Sequence, residues 1–243
     1  MRTIITLSGP IGSGKDSIAR LLVERHGFTQ VAFSSALKDA CSSVFGWDRA
    51  MLEGSTDAAR VLRNKVDPWW DARLDLGFDV TPRAMLQHLG TEVFRHHVDP
   101  DIWVNALLRR LHDLKVERIV LTDARFLNEL TAIQQLHSTE WLNQTQVIQF
   151  AISRKPEPWW GKFYERVDRD FKEESMGQSF RNYPVKAHRS TQAKLIEIGK
   201  RHAPKGLHWS EVEFLLWPHY TAQLDNSGKL ENTLKQVYST VTL

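Results

Sequence analysis

The chain contains very little cysteine: Cys41 is the single thiol in 243 residues, so no disulfide can form within it. The lack of disulfides is typical of a reducing compartment, and we expect a cytoplasmic protein with Cys41 in its core. The sequence also lacks an apolar run of about 20 residues, the length that a membrane span requires, and the apolar stretch of a signal peptide. These absences exclude a disulfide-stapled scaffold and predict no membrane partner.

An excess of one charge is missing as well. Lys and Arg number 32 and Asp and Glu 29, giving a formal charge of +3. This balance fits small anionic ligands and does not require nucleic acid. Nine tryptophans and an arginine-rich segment leave a nucleic-acid-binding ATPase as an alternative. Acidic residues are interleaved with those arginines, so we expect no stable nucleic-acid partner.

The most informative motif lies near the N-terminus. A β-branched run at 3–8 leads into a glycine-rich turn at 9–14, and an apolar-periodic segment follows. The turn completes the pattern G-x-x-x-x-G-K, in which backbone N–H groups bind phosphate oxygens and a lysine adds positive charge. The predicted nucleotide-binding residues are Gly9, Gly12, Ser13, Gly14, Lys15, Asp16 and Ser17.

Three oxygen-bearing side chains are candidates for Mg²⁺. The position after Lys15 usually holds Ser or Thr as a metal ligand, but here it holds Asp16, and the hydroxyl is displaced to Ser17. Asp123 ends an apolar strand, where phosphate-loop enzymes place a carboxylate for the metal or its waters. A helix cap is the alternative for Asp123. Whether Asp16 or Ser17 holds the metal stays open.

Predicted strands and helices alternate along the chain. This order indicates an α/β fold with a doubly wound parallel sheet, whose ligands bind at the carboxyl ends of the strands. We predict a single domain over 1–243 with helical insertions. One insertion covers about 47–80 on the substrate side, with two short helices. The other, at 153–190, is polar, poorly periodic and rich in arginine, and we predict a mobile flap.

Several polar residues could serve a substrate. Arg83 at a predicted helix N-terminus opposes the helix dipole, which indicates an anionic partner. Arg125 could bind a phosphate through two hydrogen bonds, and Asn128 could read a base or sugar, although a solvated helix end is the alternative for Asn128 and Glu129. The full set of candidate substrate ligands is Lys38, Arg83, Arg95, Asp123, Arg125, Asn128 and Glu129. The flap arginines that could close over the transferring phosphate are Arg154, Arg166, Arg169 and Arg181.

Blocks scattered along the chain resemble the bacteriophage deoxynucleoside monophosphate kinases, a family of P-loop NTPases. The matching blocks are 14–17, 33–38, 81–92, 94–95, 100–104, 122–129, 208–211 and 224–231. The resemblance implies that the doubly wound sheet is of the P-loop kinase type and that 1–243 form one P-loop kinase domain. It also implies that Lys38, Arg83 and Arg125 bind substrate, and that the family itself carries Asp at the position of Asp16.

The resemblance also implies an activity. It is phosphoryl transfer from ATP to the 5′-phosphate of a deoxynucleoside monophosphate, giving dNDP and ADP for DNA synthesis. ATP and Mg²⁺ would be the cofactors, and Lys15, Asp16 and Arg125 the catalytic residues. The implied location is the cytoplasm, which is the cytoplasm of the host cell if the protein is of phage origin. Whether the protein forms a homodimer is left open. A kinase of another small phosphorylated metabolite with the same loop is the alternative enzyme.

Overall fold

The computed structural model describes residues 2–10, 12–138, 145–154, 160–175, 177–182, 189–205 and 209–241. Parts of the predicted flap (155–159, 176 and 183–188) and His208 of one matching block lie outside the described residues. The chain divides into two compact units. We call 1–32 together with 114–243 the sheet unit, and 33–113 the helical unit.

The sheet unit is built on a parallel sheet. Its strands are β1 (Arg2–Ser8), β2 (Thr29–Val31), β3 (Arg118–Leu121), β4 (Thr145–Ser153) and β5 (Ala222–Asp225). The strand order is β2-β3-β1-β4-β5, and every pair is parallel. Central β1 is buried from Thr3 to Ser8, as a parallel strand covered on both faces requires. This topology confirms the predicted α/β fold with a doubly wound parallel sheet.

The helices alternate with these strands. In chain order they are α1 (Lys15–His26), α2 (Ser35–Phe45), α3 (Arg49–Glu53), α4 (Asp57–Arg63), α5 (Pro68–Asp71), α6 (Pro82–Gln87), α7 (Ile102–Asp113), α8 (Leu127–Gln134), α9 (Trp160–Glu174), α10 (Arg189–His202) and α11 (Leu230–Thr240). Short 3₁₀ turns occupy Gln135–Ser138, Phe180–Asn182, Trp209–Glu211 and Glu213–Leu216. In the described part of the chain, none of the helices has both the length and the apolar character of a membrane span.

The apolar core of the sheet unit fixes α1 beside the phosphate-binding turn. Ile18 and Leu22 of α1 pack into one buried cluster with Leu7 of β1 and Phe150 of β4. Leu234 of α11 joins the same cluster. The turn between β1 and α1 is therefore anchored by buried side chains at both of its ends.

The helical unit has its own core around Leu37, Cys41 and Trp103. The prediction of only two short helices in the 47–80 insertion was wrong, because Asp67 accepts hydrogen bonds from the N–H groups of Trp69 and Trp70 and so starts a further helix at Pro68. The helix predicted to begin near Arg83 starts as α6 and then changes form, and His88–Val98 is a π-helix.

The 153–190 segment differs from the poorly periodic flap that we predicted. Its described part contains α9, a helix of 15 residues that packs against α10. Phe163, Val167 and Phe171 of α9 are at most 3% exposed. Their spacing of four residues places them on one helix face, and the charged residues between them hid that periodicity. The description of this segment as poorly periodic was therefore wrong for α9.

Candidate phosphate-binding site

The turn between β1 and α1 has a backbone that only glycine adopts readily. Gly12 and Gly14 have φ angles of 81° and 92°, in the left-handed region. A Cβ atom on Gly9 would lie 2.5 Å from the carbonyl oxygen of Ile152 in β4. The turn is therefore pressed against the sheet at Gly9 and enters α1 through Gly14, the N-cap residue. The free N–H groups of the first turn of α1 follow directly.

Lys15 is folded over this turn. Its ammonium donates hydrogen bonds to the carbonyl oxygens of Gly9 at 2.7 Å and Pro10 at 2.8 Å. The pKa of Lys15 falls from 10.5 to about 8, because burial and, to a lesser extent, the positive charge of Arg125 lower it against the opposing effect of nearby carboxylates. Those carboxylates belong to Asp16, Glu211 and Asp123. A partly desolvated cation held in this way gains stabilisation from an incoming phosphate.

Around Lys15 the structure brings together residues that the sequence separates by more than a hundred positions. Asp16 is exposed in the first turn of α1, and Ser17 beside it is half-buried. Asp123 and Arg125 follow the carboxyl end of β3, the neighbour of β1, and both are half-buried. Each of these predicted residues therefore lies at the carboxyl edge of the sheet, where ligands of doubly wound folds bind.

Ser13 carries a polar group that the protein leaves unsatisfied. The residue is 1% exposed. Its Oγ has no hydrogen-bond partner within the described ranges. A buried hydroxyl without a partner is costly, so a ligand that forms a hydrogen bond with it would be stabilised there. Ser13 thus fits a turn whose hydrogen bonding is completed by a bound phosphate.

Arg125 is held from two directions. Its guanidinium donates a hydrogen bond through Nη1 to Oε1 of Glu211 and forms an ion pair with that carboxylate. The Arg125 side chain is 39% exposed. Its backbone N–H donates to Oε2 of Glu129 at 2.8 Å. The same oxygen accepts the N–H of Phe126 at 3.2 Å. Glu129 is therefore the capping residue of α8, and a substrate-binding role for Glu129 or its neighbour Asn128 stays a prediction.

The predicted ligands of the helical unit have the following surroundings. Lys38 is 9% exposed and its Nζ lies 2.7 Å from Oε1 of Glu53. Arg95 is 8% exposed and donates to the carbonyl oxygen of Pro100 at 3.1 Å. Arg83 is half-buried, and its side chain has no ion pair or hydrogen bond among the described residues. Their roles as substrate ligands stay predictions.

Of the four flap arginines, Arg154 contacts the phosphate-binding turn. It follows β4 directly, and its Nη1 donates to the carbonyl oxygen of Gly12 at 3.4 Å. Arg166 lines a separate pocket with other basic residues of α9 and α10. Arg169 pairs with Asp170 at 3.1 Å. Arg181 lies over the ring of Tyr164.

Asn226 is a residue of the site to which the sequence assigned no role. Its Nδ2 donates to the carbonyl oxygen of Ser13 at 2.7 Å, and its Oδ1 accepts the hydroxyl of Thr233 at 2.9 Å. A Cβ on Gly14 would lie 2.1 Å from the same Nδ2. Asn226 thus links the phosphate-binding turn to α11 through these two hydrogen bonds. Its position directly after β5, at the carboxyl edge, is the signal that could have indicated it.

No model of a protein family matches the chain. A mimivirus protein (Acanthamoeba polyphaga mimivirus) named "Putative deoxynucleotide monophosphate kinase" is 31% identical over 144 residues, covering 55% of this chain and 69% of the relative.

Solved structures of low similarity cover nearly the whole chain. TT1252 from Thermus thermophilus has a TM-score of 0.40 at 19% identity, covering 100% of this chain and 99% of its own. A gluconokinase from Sinorhizobium meliloti has a TM-score of 0.37 at 14% identity, and the match covers 99% of this chain and 93% of the gluconokinase. Shikimate kinase from Acinetobacter baumannii has a TM-score of 0.39 at 13% identity, and the match covers 98% of this chain and 92% of the shikimate kinase. Because the mimivirus protein is 31% identical and 69% of its length is covered, this chain belongs to the family of that viral protein, which is named "Putative deoxynucleotide monophosphate kinase".

Proposed function

We propose that the protein transfers the γ-phosphoryl group of ATP to the 5′-phosphate of a deoxynucleoside monophosphate, giving dNDP and ADP. The observation that carries the proposal is the glycine turn with Lys15 folded over it and Arg125 beside it. The name of the mimivirus relative supports the choice of acceptor. In this proposal the protein works in the cytoplasm and supplies nucleotides for DNA synthesis.

The donor side is the phosphate-binding turn. The N–H groups at the start of α1 and the unsatisfied hydroxyl of Ser13 supply hydrogen bonds to the triphosphate. Lys15 exchanges its bonds to the carbonyl oxygens of Gly9 and Pro10 for bonds to phosphate, and the added negative charge raises the pKa of its ammonium. Arg154, which already reaches Gly12, adds a second positive charge on the same side.

The oxygen donors beside Lys15 fit Mg²⁺. Asp16, Ser17 and Asp123 would hold the ion or its waters, since Mg²⁺ in nucleotide sites takes few protein ligands and several phosphate and water oxygens. The described ranges contain no group of three or more His, Cys, Asp and Glu residues that could form an all-protein metal cage. The ion would supply neutralisation of the phosphate charge.

Transfer itself requires alignment and charge neutralisation more than covalent help. An oxygen of the acceptor phosphate forms a bond to the γ-phosphorus as the bond to the bridging oxygen of ADP breaks, and no general base is needed because the acceptor is already anionic. Arg125 neutralises charge between the two phosphates in this proposal. The resemblance assigns further acceptor binding to Lys38 and Arg83, and Arg95 is an additional candidate from the sequence.

A coupled assay of ADP release over a panel of phosphorylated acceptors tests the proposal. The panel contains the common deoxynucleoside and ribonucleoside monophosphates and several sugar phosphates, with Lys15→Met as the inactive control. We expect turnover with at least one deoxynucleoside monophosphate. Turnover restricted to a non-nucleotide acceptor would overturn the proposal in favour of a kinase for another phosphorylated metabolite.

A further inference from the structure

The segment that carries Arg125 is held by carboxylates from two directions. Glu129 accepts the backbone N–H of Arg125 from within α8. Glu211 and Glu213 reach the same segment from the two 3₁₀ turns of 209–216, which precede β5. Glu211 binds the guanidinium of Arg125, and Glu213 accepts the N–H of Leu127 at 2.9 Å.

These carboxylates differ in what they bind. Glu129 is 2% exposed and Glu213 is 4% exposed. Both accept backbone N–H groups at the start of α8, so they hold the fold. Glu213 also accepts the indole N–H of Trp209, which joins the two 3₁₀ turns. Glu211 binds the charged side chain of Arg125, whose positive charge acts on Lys15 of the phosphate-binding turn.

We infer that Glu211 is a positioning residue, which holds the guanidinium of Arg125 in place for phosphoryl transfer. The inference rests on the proposed function and deepens it, because it names the residue that orients Arg125 in the site. A single Nη1 contact to Glu211 leaves other N–H donors of the guanidinium for a phosphate. The 39% exposure of Arg125 gives a ligand access to those donors, whereas the Glu211 side chain is only 10% exposed.

Burial makes this contact an effective restraint. A carboxylate shielded from water interacts with a nearby guanidinium more strongly than an exposed pair does, because the dielectric screening is weaker. A flexible arginine that is already oriented loses less conformational freedom when the phosphate binds. Glu211 also balances the positive charges of Lys15 and Arg125, whose mutual repulsion would otherwise displace the arginine.

Steady-state kinetics of single and double variants test this role. We expect Glu211→Gln to lower kcat about tenfold, with KM for ATP changed less than about threefold. Because Glu211 acts through Arg125, adding Glu211→Gln to Arg125→Ala should cause little further loss. The matched control is Glu197→Gln, which breaks an exposed pair with Arg201 and should leave kcat unchanged. Losses that multiply in the double variant, or an unchanged kcat in Glu211→Gln, would overturn the inference.

A measurement without substrate separates this inference from the proposed activity. In ¹⁵N-labelled protein, NMR reports rotation about the Nε–Cζ bond of each guanidinium, and the Arg125→Lys variant identifies the Arg125 signal. We expect slow rotation for Arg125 in the wild type and fast rotation in Glu211→Ala. Fast rotation in the wild type would refute positioning even if the enzyme is active. A wild type inactive on the whole panel refutes the proposed function, while slow rotation would still support the restraint.

Discussion

Replacing Lys15 with methionine should abolish phosphoryl transfer and at the same time stabilise the folded protein. The charged amine is buried at the turn, and its pKa falls from 10.5 to about 8. Each pKa unit corresponds to about 1.4 kcal/mol, so holding the proton in the folded state costs about 3 kcal/mol at neutral pH. Methionine has a similar length and removes that charge.

Part of this gain is lost with the hydrogen bonds of Lys15. The carbonyl oxygens of Gly9 and Pro10 lose their donor, at about 1 kcal/mol each, although both residues are half-buried and water can replace the amine. The net stabilisation is therefore about 1–2 kcal/mol, which corresponds to a rise in Tm of about 2–6 °C for a chain of this size.

The pH dependence gives the sharpest form of this prediction. The unfolded chain keeps the Lys15 proton up to about pH 10.5, whereas the folded chain releases it near pH 8. The stability of the wild type therefore rises with pH across this window, because the unfolded state binds more protons there. The advantage of Lys15→Met should be full below pH 8 and should shrink toward pH 10.5.

Thermal unfolding of the wild type and Lys15→Met, followed at several pH values between about 6.5 and about 10, measures this difference. The series brackets the pKa of Lys15, which is about 8. Lys235→Met replaces an exposed lysine of α11 and is the matched control, with no pH-dependent gain expected. A Tm of Lys15→Met below that of the wild type at every pH would refute the account of a desolvated Lys15. So would a Tm difference that does not change with pH.

Three further predictions concern other residues. Asp16→Asn keeps the shape of the side chain and removes its charge, and it should lower kcat at least about tenfold in Mg²⁺ titrations, with Tm little changed. An unaltered kcat would leave Ser17 as the metal-side residue. Asn226→Ala strips two buried hydrogen bonds from the support of the turn, so it should cost about 2–3 kcal/mol in chemical denaturation and raise the KM for ATP; full stability would contradict that support. Burial raises the pKa of the Cys41 thiol to about 11, so a thiol reagent at pH 8 should label it only after unfolding; rapid labelling of the native protein would contradict its burial.

Local signals explain why the first part of the fold could be predicted. The run at 3–8, the glycines of the turn and the apolar spacing of α1 each act over a few residues, and β1 and α1 formed as expected. The position of Asp123 at the end of β3 follows from the same kind of signal. Parallel strands then bring these ends to one edge of the sheet.

The contacts that complete the site could not be predicted in the same way. Asn226 lies 213 positions from Ser13, and Glu211 lies 86 positions from Arg125. Such pairs are set by how the elements pack, which no short pattern encodes. The π-helix at 88–98 was missed because its apolar spacing also suits an α-helix.

Transfer of label from [γ-³²P]ATP tests directly whether the protein phosphorylates deoxynucleoside monophosphates. The wild type and Lys15→Met are incubated with Mg²⁺ and one deoxynucleoside monophosphate at a time, and the products are separated by chromatography. We expect labelled dNDP with at least one of these acceptors in the wild type and none with Lys15→Met. Label released as inorganic phosphate with every nucleotide acceptor, or labelled dNDP formed equally well by Lys15→Met, would refute the proposed transfer.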